Sequence, residues 1–346
     1  MYLSLIRVNP FSSTEKMKPY DQLTFRGKNL RLRKLAIHAL NDYPINVARV
    51  RYLTTESTTM FRVDGTDGEK YVFRIYSEAD SSLVENQTEM YWLAALARDT
   101  DLPTIRPVAR KDDEYISLVH YADIPEQKRC ALYKWIPGVT LSEHITPANY
   151  RKLGAIMAGL HNHAQSLQLP DTLAPKRWDK TYYFPDEEIV YNTAAYAQLY
   201  TPAQIRTLNR AIPFIDTFLA SLYTENGTPF VIHGDMYYMN VHIHREKLYV
   251  LDFEDMVMGF PEQDIAICLY YLRHETNFRQ LATAFQTGYA SVREWPNIPP
   301  EQLHALWLAR MTNFANYAAT AFDDDESART YISARCDEIE KYLRET

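Results

Sequence analysis

The apolar positions of this chain change period along its length, and the changes set a strand-rich first part against a helix-rich remainder. Leu32, Leu35, Ala36, Ala39 and Leu40 recur at helical spacing and predict an amphipathic helix over 29–42. Residues 47–53, 59–63 and 71–76 are short runs rich in β-branched and aromatic side chains. With the turn sequence Asp64-Gly65-Thr66-Asp67-Gly68 between the last two, they predict an antiparallel meander. Helical spacing returns in SSLVENQTEMYWLAALA (81–97), where Leu83, Met90, Leu93 and Leu96 mark a buried side. CALYKW (130–135) predicts one more strand, stopped by Ile136-Pro137-Gly138. Beyond it, Leu153, Ile156, Met157, Leu160 and Ala164 share one face of a helix over 153–167. Further helices are expected near 202–224, 262–272, 277–293, 300–320 and 326–344. This segregation of strands and helices predicts an α+β chain.

Composition narrows the class. A chain of 346 residues is ample for one large domain or two lobes. Its 44 acidic and 37 basic side chains give a net charge of −7, which disfavours a nucleic-acid partner. Cys130, Cys268 and Cys336 are far apart and form neither a CxxC pair nor a disulfide framework, which points to a reducing compartment. The opening MYLSLIRV is interrupted by Arg7 too early for a signal segment, and no apolar run approaches the ~20 residues that cross a bilayer. A cytoplasmic location without a membrane partner is therefore expected, and oligomeric state is not legible.

The segment VIHGDMYYMNVHIHREKLYVLDFED (231–255) carries the chemistry. Residues 231–232 and 248–251 read as strands, with Asp235 early in the intervening loop, Asn240 five residues later and Asp252 after the second strand. Phosphoryl transfer needs a carboxylate to orient and deprotonate a hydroxyl, and oxygen ligands to hold magnesium against phosphates. Asp235 is suited to the first task, Asn240 and Asp252 to the second. Singly, each is an ordinary turn or strand-end residue; together, type, order and spacing agree. His242 and His244 share a strand face but have no third metal ligand in view, and His161 and His163, two apart on a helix, do not share one.

HGDMYYMN followed by LDFED resembles the catalytic segment of the aminoglycoside phosphotransferase and choline kinase superfamily, small-molecule kinases with a protein-kinase-like fold. The resemblance implies a two-lobed α+β fold: a small antiparallel-sheet nucleotide-binding lobe over 1–132, a hinge at 133–138, and a larger, mostly helical catalytic and acceptor-binding lobe over 139–346. It implies ATP and Mg2+ as cofactors, Asp235 as catalytic base, and Asn240 and Asp252 as magnesium ligands. Glu254 is either a second metal contact or a solvated loop residue. GFPEQDIA (259–266) resembles the family's Asp-x-Ala element, in which Asp264 braces the catalytic loop.

The resemblance also marks departures. The turn expected to cover the ATP phosphates, Thr54-Thr55-Glu56-Ser57-Thr58, has no glycine, so Ser57 and Thr58 are the candidate phosphate contacts and a plain polar hairpin turn the alternative. Arg74 stands where the family has a phosphate-binding lysine, with Lys70 on the same strand face as the alternative. Glu89 is the expected partner of Arg74, and Glu85, one turn earlier, its competitor. Backbone around Tyr133 and Trp135 is expected to contact adenine, unless this is an ordinary edge strand.

The expected acceptor is a small-molecule hydroxyl of amino alcohol, hydroxy amino acid, sugar or aminoglycoside type. The Tyr71-x-x-Arg74 strand, the Trp92-Leu93 helix and Arg177-Trp178 resemble the homoserine-kinase-like and stress-response-kinase-like branch, which leaves a protein Ser/Thr side chain as the alternative. The short span from Asp252 to Asp264 favours the small molecule. The Arg74 exchange and glycine-poor turn point to a third reading, a catalytically silent nucleotide-binding regulatory protein. Trp178, Tyr182, Tyr183, Trp307 and Tyr317 are either core or a cage for an ammonium group, and Asp323-Asp324-Asp325-Glu326 either attracts an amine or starts a helix.

Overall fold

The computed structural model describes residues 18–345 except 57, 79–80, 123, 174 and 184–187. Ser57, the first 17 residues of the expected smaller lobe and Phe184 thus lie outside the described residues.

Helix α1 (Phe25–Ala39) begins at Thr24, whose hydroxyl accepts from Gly27 N at 3.2 Å, and buries Leu32, Leu35, Ala36 and Ala39, the face expected from their spacing. It covers an antiparallel sheet of β1 (Val47–Thr55), β2 (Thr59–Gly65), β3 (Lys70–Ile75), β4 (Ser117–Tyr121) and β5 (Ile124–Lys134) in the order β1-β2-β3-β5-β4. Side chains alternate across this sheet. Phe61, Val63, Tyr71, Phe73, Ile75, Cys130 and Leu132 face α1 and form one core with it. Tyr76, Ala131 and Tyr133 join the other core, with Met90, Trp92, Leu93 and Leu96 of α2 (Leu83–Asp99). Each such side chain fully withdrawn from water contributes roughly 1.5–3 kcal/mol. Because β3 is covered on both faces beyond the exposed Lys70, residues 71–75 read as an almost unbroken apolar run in which Arg74 is the exception.

After β5 the chain turns through 135–138 into β6 (Val139–Thr140) and α3 (Pro147–Ser166). Helix α4 (Pro202–Glu225) precedes β7 (Phe230–Ile232), β8 (Val241–His244), β9 (Lys247–Val250) and β10 (Val257–Gly259). β7 pairs with β10, and β6, β8 and β9 form a second small sheet. Helices α5 (Pro261–Tyr270), α6 (Phe278–Ala290), α7 (Pro300–Ala321) and α8 (Asp325–Glu345) complete the chain. Helix α3 packs closely on α6: a Cβ added to Gly288 would stand 1.8 Å from the Arg151 carbonyl oxygen. The helices match the sequence expectation to within a few residues. The short β4, β6 and β10 were not expected, since two to five residues carry too little periodicity to register, whereas β8 is the strand whose face His242 and His244 were expected to share.

Candidate active site

The loop after β7 is built around Asp264 of α5. Its two carboxylate oxygens accept from the backbone N–H of His233 (2.9 Å) and Gly234 (2.8 Å), the bracing contact anticipated for this residue. Behind it His161 of α3 bonds Asp264 at 3.0 Å and the Tyr289 hydroxyl at 2.8 Å. Gly234 has φ +79°, and a Cβ there would lie 2.1 Å from the Asp255 carbonyl oxygen. Only glycine fits this turn. His233 reaches the Leu251 carbonyl through Nε2 at 2.9 Å and packs on Phe253, tying the loop to the segment after β9.

This frame holds Asp235, Asn240 and Asp252 beside one another. Asn240 Nδ2 donates to Asp235 O and Oδ2, both at 2.9 Å, which fixes the side chain against the base. Asp252 adopts φ +60°, a conformation that non-glycine residues rarely take and that recurs at functional sites. Burial raises the Asp235 carboxyl above the usual carboxylate range, Arg310 opposes that shift, and Asp255 and Asp252 add to it.

Arg74 projects from β3 into the same space. It is buried, and it lies 3.4 Å from Glu89, 3.1 Å from Asp252 and 3.4 Å from Glu254. Glu89 also accepts from the hydroxyls of Tyr76 (2.9 Å) and Tyr133 (3.0 Å), which are 2.7 Å apart. Burial raises the Glu89 carboxyl, while Arg74 and the Tyr76 hydroxyl pull it down. Glu85 does not reach Arg74; it closes the capping box of α2 with Ser82 and pairs with Lys176 at 3.4 Å. Lys70 lies at the exposed far end of β3.

The other expected nucleotide contacts fall at the edges of this cluster. The Thr58 hydroxyl is buried without a hydrogen-bond partner, in the turn before β2. Register places Met60 opposite Arg74, and Thr58 immediately precedes this strand. Tyr133 meets the cluster through its side chain. Trp135 is half-buried under the Arg62 guanidinium (5.0 Å), and its N–H donates to the Lys70 carbonyl at 3.0 Å.

On the opposite side of Asp235 lies Arg310 of α7, which the sequence reading missed. Its Nη2 pairs with Asp235 Oδ1 and donates to the Tyr271 hydroxyl at 2.9 Å, and the guanidinium lies 4.6 Å from the Phe314 ring. Tyr271 stacks on Tyr237 with ring centroids 4.0 Å apart. A signal was present: Arg310 is a lone charge within Leu306-Trp307-Leu308-Ala309-Arg310-Met311. Of the aromatics considered for an ammonium cage, Trp178 and Trp307 are core, Tyr182 and Tyr183 are largely buried, and Tyr317 is exposed. Asp324 accepts from Glu326 N and Ser327 N at the start of α8. His242 and His244 lie on β8, and no three His, Cys, Asp or Glu side chains form a self-sufficient metal cluster among the described residues.

A two-lobed arrangement, with a strand arginine, a helix glutamate and an Asp–Asn–Asp set facing one another, defines a kinase-like phosphotransferase. Residues 52–299 match the model of the phosphotransferase enzyme family (APH), and the chain belongs to that family. An uncharacterized protein of Synechocystis sp. is 28% identical over 280 residues, covering 79% of this chain and 75% of its own length. Three solved structures share the fold. An amicoumacin kinase bound to AMP-PNP, Ca2+ and amicoumacin superposes with a TM-score of 0.74 at 16% identity, over 92% of this chain and 99% of its own. A microcompartment-associated aminopropanol kinase gives 0.72 at 20%, over 90% and 98%. A spectinomycin phosphotransferase in complex with ADP and spectinomycin gives 0.65 at 10%, over 90% and 98%. Among the described residues no helix is long and apolar enough to cross a membrane.

Proposed function

We propose that the protein transfers the γ-phosphoryl group of ATP to a hydroxyl of a small molecule, with Asp235 as the base. The observation that carries this reading is the convergence of the Asp235–Asn240 loop, Asp252 after β9 and Arg74 of β3 from three separate places in the chain. The acceptor oxygen bonds to the γ-phosphorus as the bridging O–P bond to ADP breaks, and the hydroxyl proton passes to an Asp235 oxygen. In this reading the segment up to 132 is the nucleotide lobe, 133–138 the hinge, and 139–346 the catalytic and acceptor lobe.

The donor set suits magnesium. That ion is usually held by one or two carboxylates together with substrate phosphates, so no all-protein cage is needed. Asp252 and the Asn240 Oδ1 are the ligands, and Arg74 faces three carboxylates with one positive charge, an excess that a divalent cation balances. When bound, the metal supplies charge neutralisation at the phosphates. Arg74, whose buried Nε has no acceptor, and the unpartnered Thr58 hydroxyl are the donors available to phosphate oxygens. Glu89 and its two tyrosines hold Arg74 in place. A cytoplasmic setting accords with three buried thiols.

The test is acceptor-dependent ADP release by purified protein with Mg-ATP across pooled alcohols. Asp235→Asn is expected to lower kcat about 10²–10⁴-fold with Mg-ATP binding retained. Turnover that survives in the variant would remove Asp235 from the role of base. Phosphate appearing on a Ser/Thr peptide instead of any small alcohol would replace the acceptor class.

A further inference from the structure

The outer edge of the first sheet carries charge and apolar surface that the cleft does not use. Residues 25–51 hold seven Lys and Arg and a single acid, Asp42, in a protein whose net charge is −7. Arg26, Lys34 and Arg49 are exposed and form no ion pair among the described residues. Beside these cations, Phe25 and Leu30 are 62% and 54% exposed, and the half-exposed ring of Tyr52 on β1 meets Phe25 edge-on at 6.1 Å. With Arg26, Arg33 and Phe61 they line a cavity of about 240 Å³ between α1 and β1. β1 is an edge strand, so no further strand of the sheet covers this groove. Charged residues are ordinary on such an edge, but large apolar side chains gathered around a concavity mark an interaction surface.

The groove calls for an apolar side chain flanked by negative charge. An anionic bilayer offers the charge but a flat face, and it repels the remainder of the protein, which carries the excess of acid. The protein itself offers the complement. At the end of α7, Tyr317 is 62% and Phe322 41% exposed, and Phe322 leads directly into Asp323-Asp324-Asp325-Glu326. Asp324 caps α8 and Asp325 pairs with Arg329 at 3.7 Å, which leaves Asp323 and Glu326 without a cationic partner among the described residues. An aromatic knob beside unpaired carboxylates matches, in shape and in sign, an apolar groove beside unpaired cations.

We infer that copies of this chain associate through these two surfaces, the α7–α8 corner of one copy seating Phe322 in the α1–β1 groove of another. Each copy carries both surfaces, so the contact is heterologous and either repeats or closes by symmetry. It uses none of Asp235, Asn240, Asp252 and Arg74, and so stands apart from the phosphotransferase reading.

The experiment is sedimentation velocity on the full chain over about 1–100 µM, at about 50 and 500 mM NaCl. The wild type is compared with Leu30→Glu, Arg26→Glu and Phe322→Ser, each alone, and with equimolar mixtures of Phe322→Ser and either groove variant. Thermal midpoints control for folding. The wild type is expected to exceed the mass of one chain, with association about tenfold weaker at the higher salt. Each variant alone should lose about tenfold or more in association. The mixtures should regain it, because the intact groove of Phe322→Ser receives the intact corner of Leu30→Glu or Arg26→Glu. A monomeric wild type, association that survives any of the substitutions, or mixtures that stay monomeric overturn the inference. With a monomeric wild type, binding to phosphatidylcholine–phosphatidylglycerol vesicles that is lost in Leu30→Glu would assign the groove to a lipid surface. A lower thermal midpoint of Leu30→Glu in that case would mean that the groove is filled from within the chain.

Discussion

Two buried arginines flank the catalytic segment, and they are held in different ways. Arg74 on β3 faces Glu89, Asp252 and Glu254, with tyrosine hydroxyls completing the shell around Glu89. Arg310 on α7 faces one carboxylate, Asp235, and one hydroxyl, Tyr271. The first cluster has more negative charge than its arginine balances. The second pairs one arginine with one carboxylate. The two arginines thus differ in charge balance, the first outnumbered by carboxylates and the second matched one to one.

The comparison can be broken most severely at Arg74. Arg74→Met leaves Glu89 buried beside two tyrosines with no cation, and stranding a buried charge costs about 3–5 kcal/mol. A fall in thermal midpoint larger than that of Arg310→Gln is expected in parallel melts; equal falls would mean that the two arginines are held alike.

A middle-sized effect is expected at Asp264, which supports both sides by fixing the loop between them. Burial pushes its carboxyl up, but the His161 bond, the charges of His161 and His233 and the Gly234 N–H together hold it below the usual value. A depressed folded value means that the stabilisation is complete above the unfolded value near 3.9 and is lost as pH falls through the folded one. Asp264→Asn should therefore lower stability by about 1.5–3 kcal/mol at neutral pH and flatten the acid limb of a stability–pH curve. An unchanged acid limb would show that Asp264 contributes no linkage.

The smallest effect sharpens the contrast. Tyr133→Phe removes one of the two hydroxyls on Glu89 and should cost about 0.5–1.5 kcal/mol, seen as a shift in the urea midpoint without a change in slope. A rise in the KM for ATP in the same variant would show that holding Glu89 matters to holding Arg74.

Much of the Arg74 side was legible from residues alone. Residues 71–75 announce Arg74 as the one charge in an apolar run, whereas the choice between Glu89 and Glu85 was settled by the structure, in which Glu85 is engaged in the capping box with Ser82. The 231–255 segment is similarly local, since Asp235 and Asn240 meet across five residues. Tyr133 was read for its backbone, whereas its side chain does the visible work, because strand register decides which face it takes.

The Arg310 side was not legible. Asp235 and Arg310 are separated by 75 residues, and helical periodicity identifies which face of α7 is buried without saying what it is buried against. The same holds for the His161–Asp264 contact, which spans 103 residues. Local pattern determined the order of elements, the phosphotransferase segment and its family, because hydrogen bonding and burial within a strand, turn or helix depend on near neighbours. Helix packing decided which distant charge meets the base, because a charge buried between elements is tolerated only where the fold brings a partner to it.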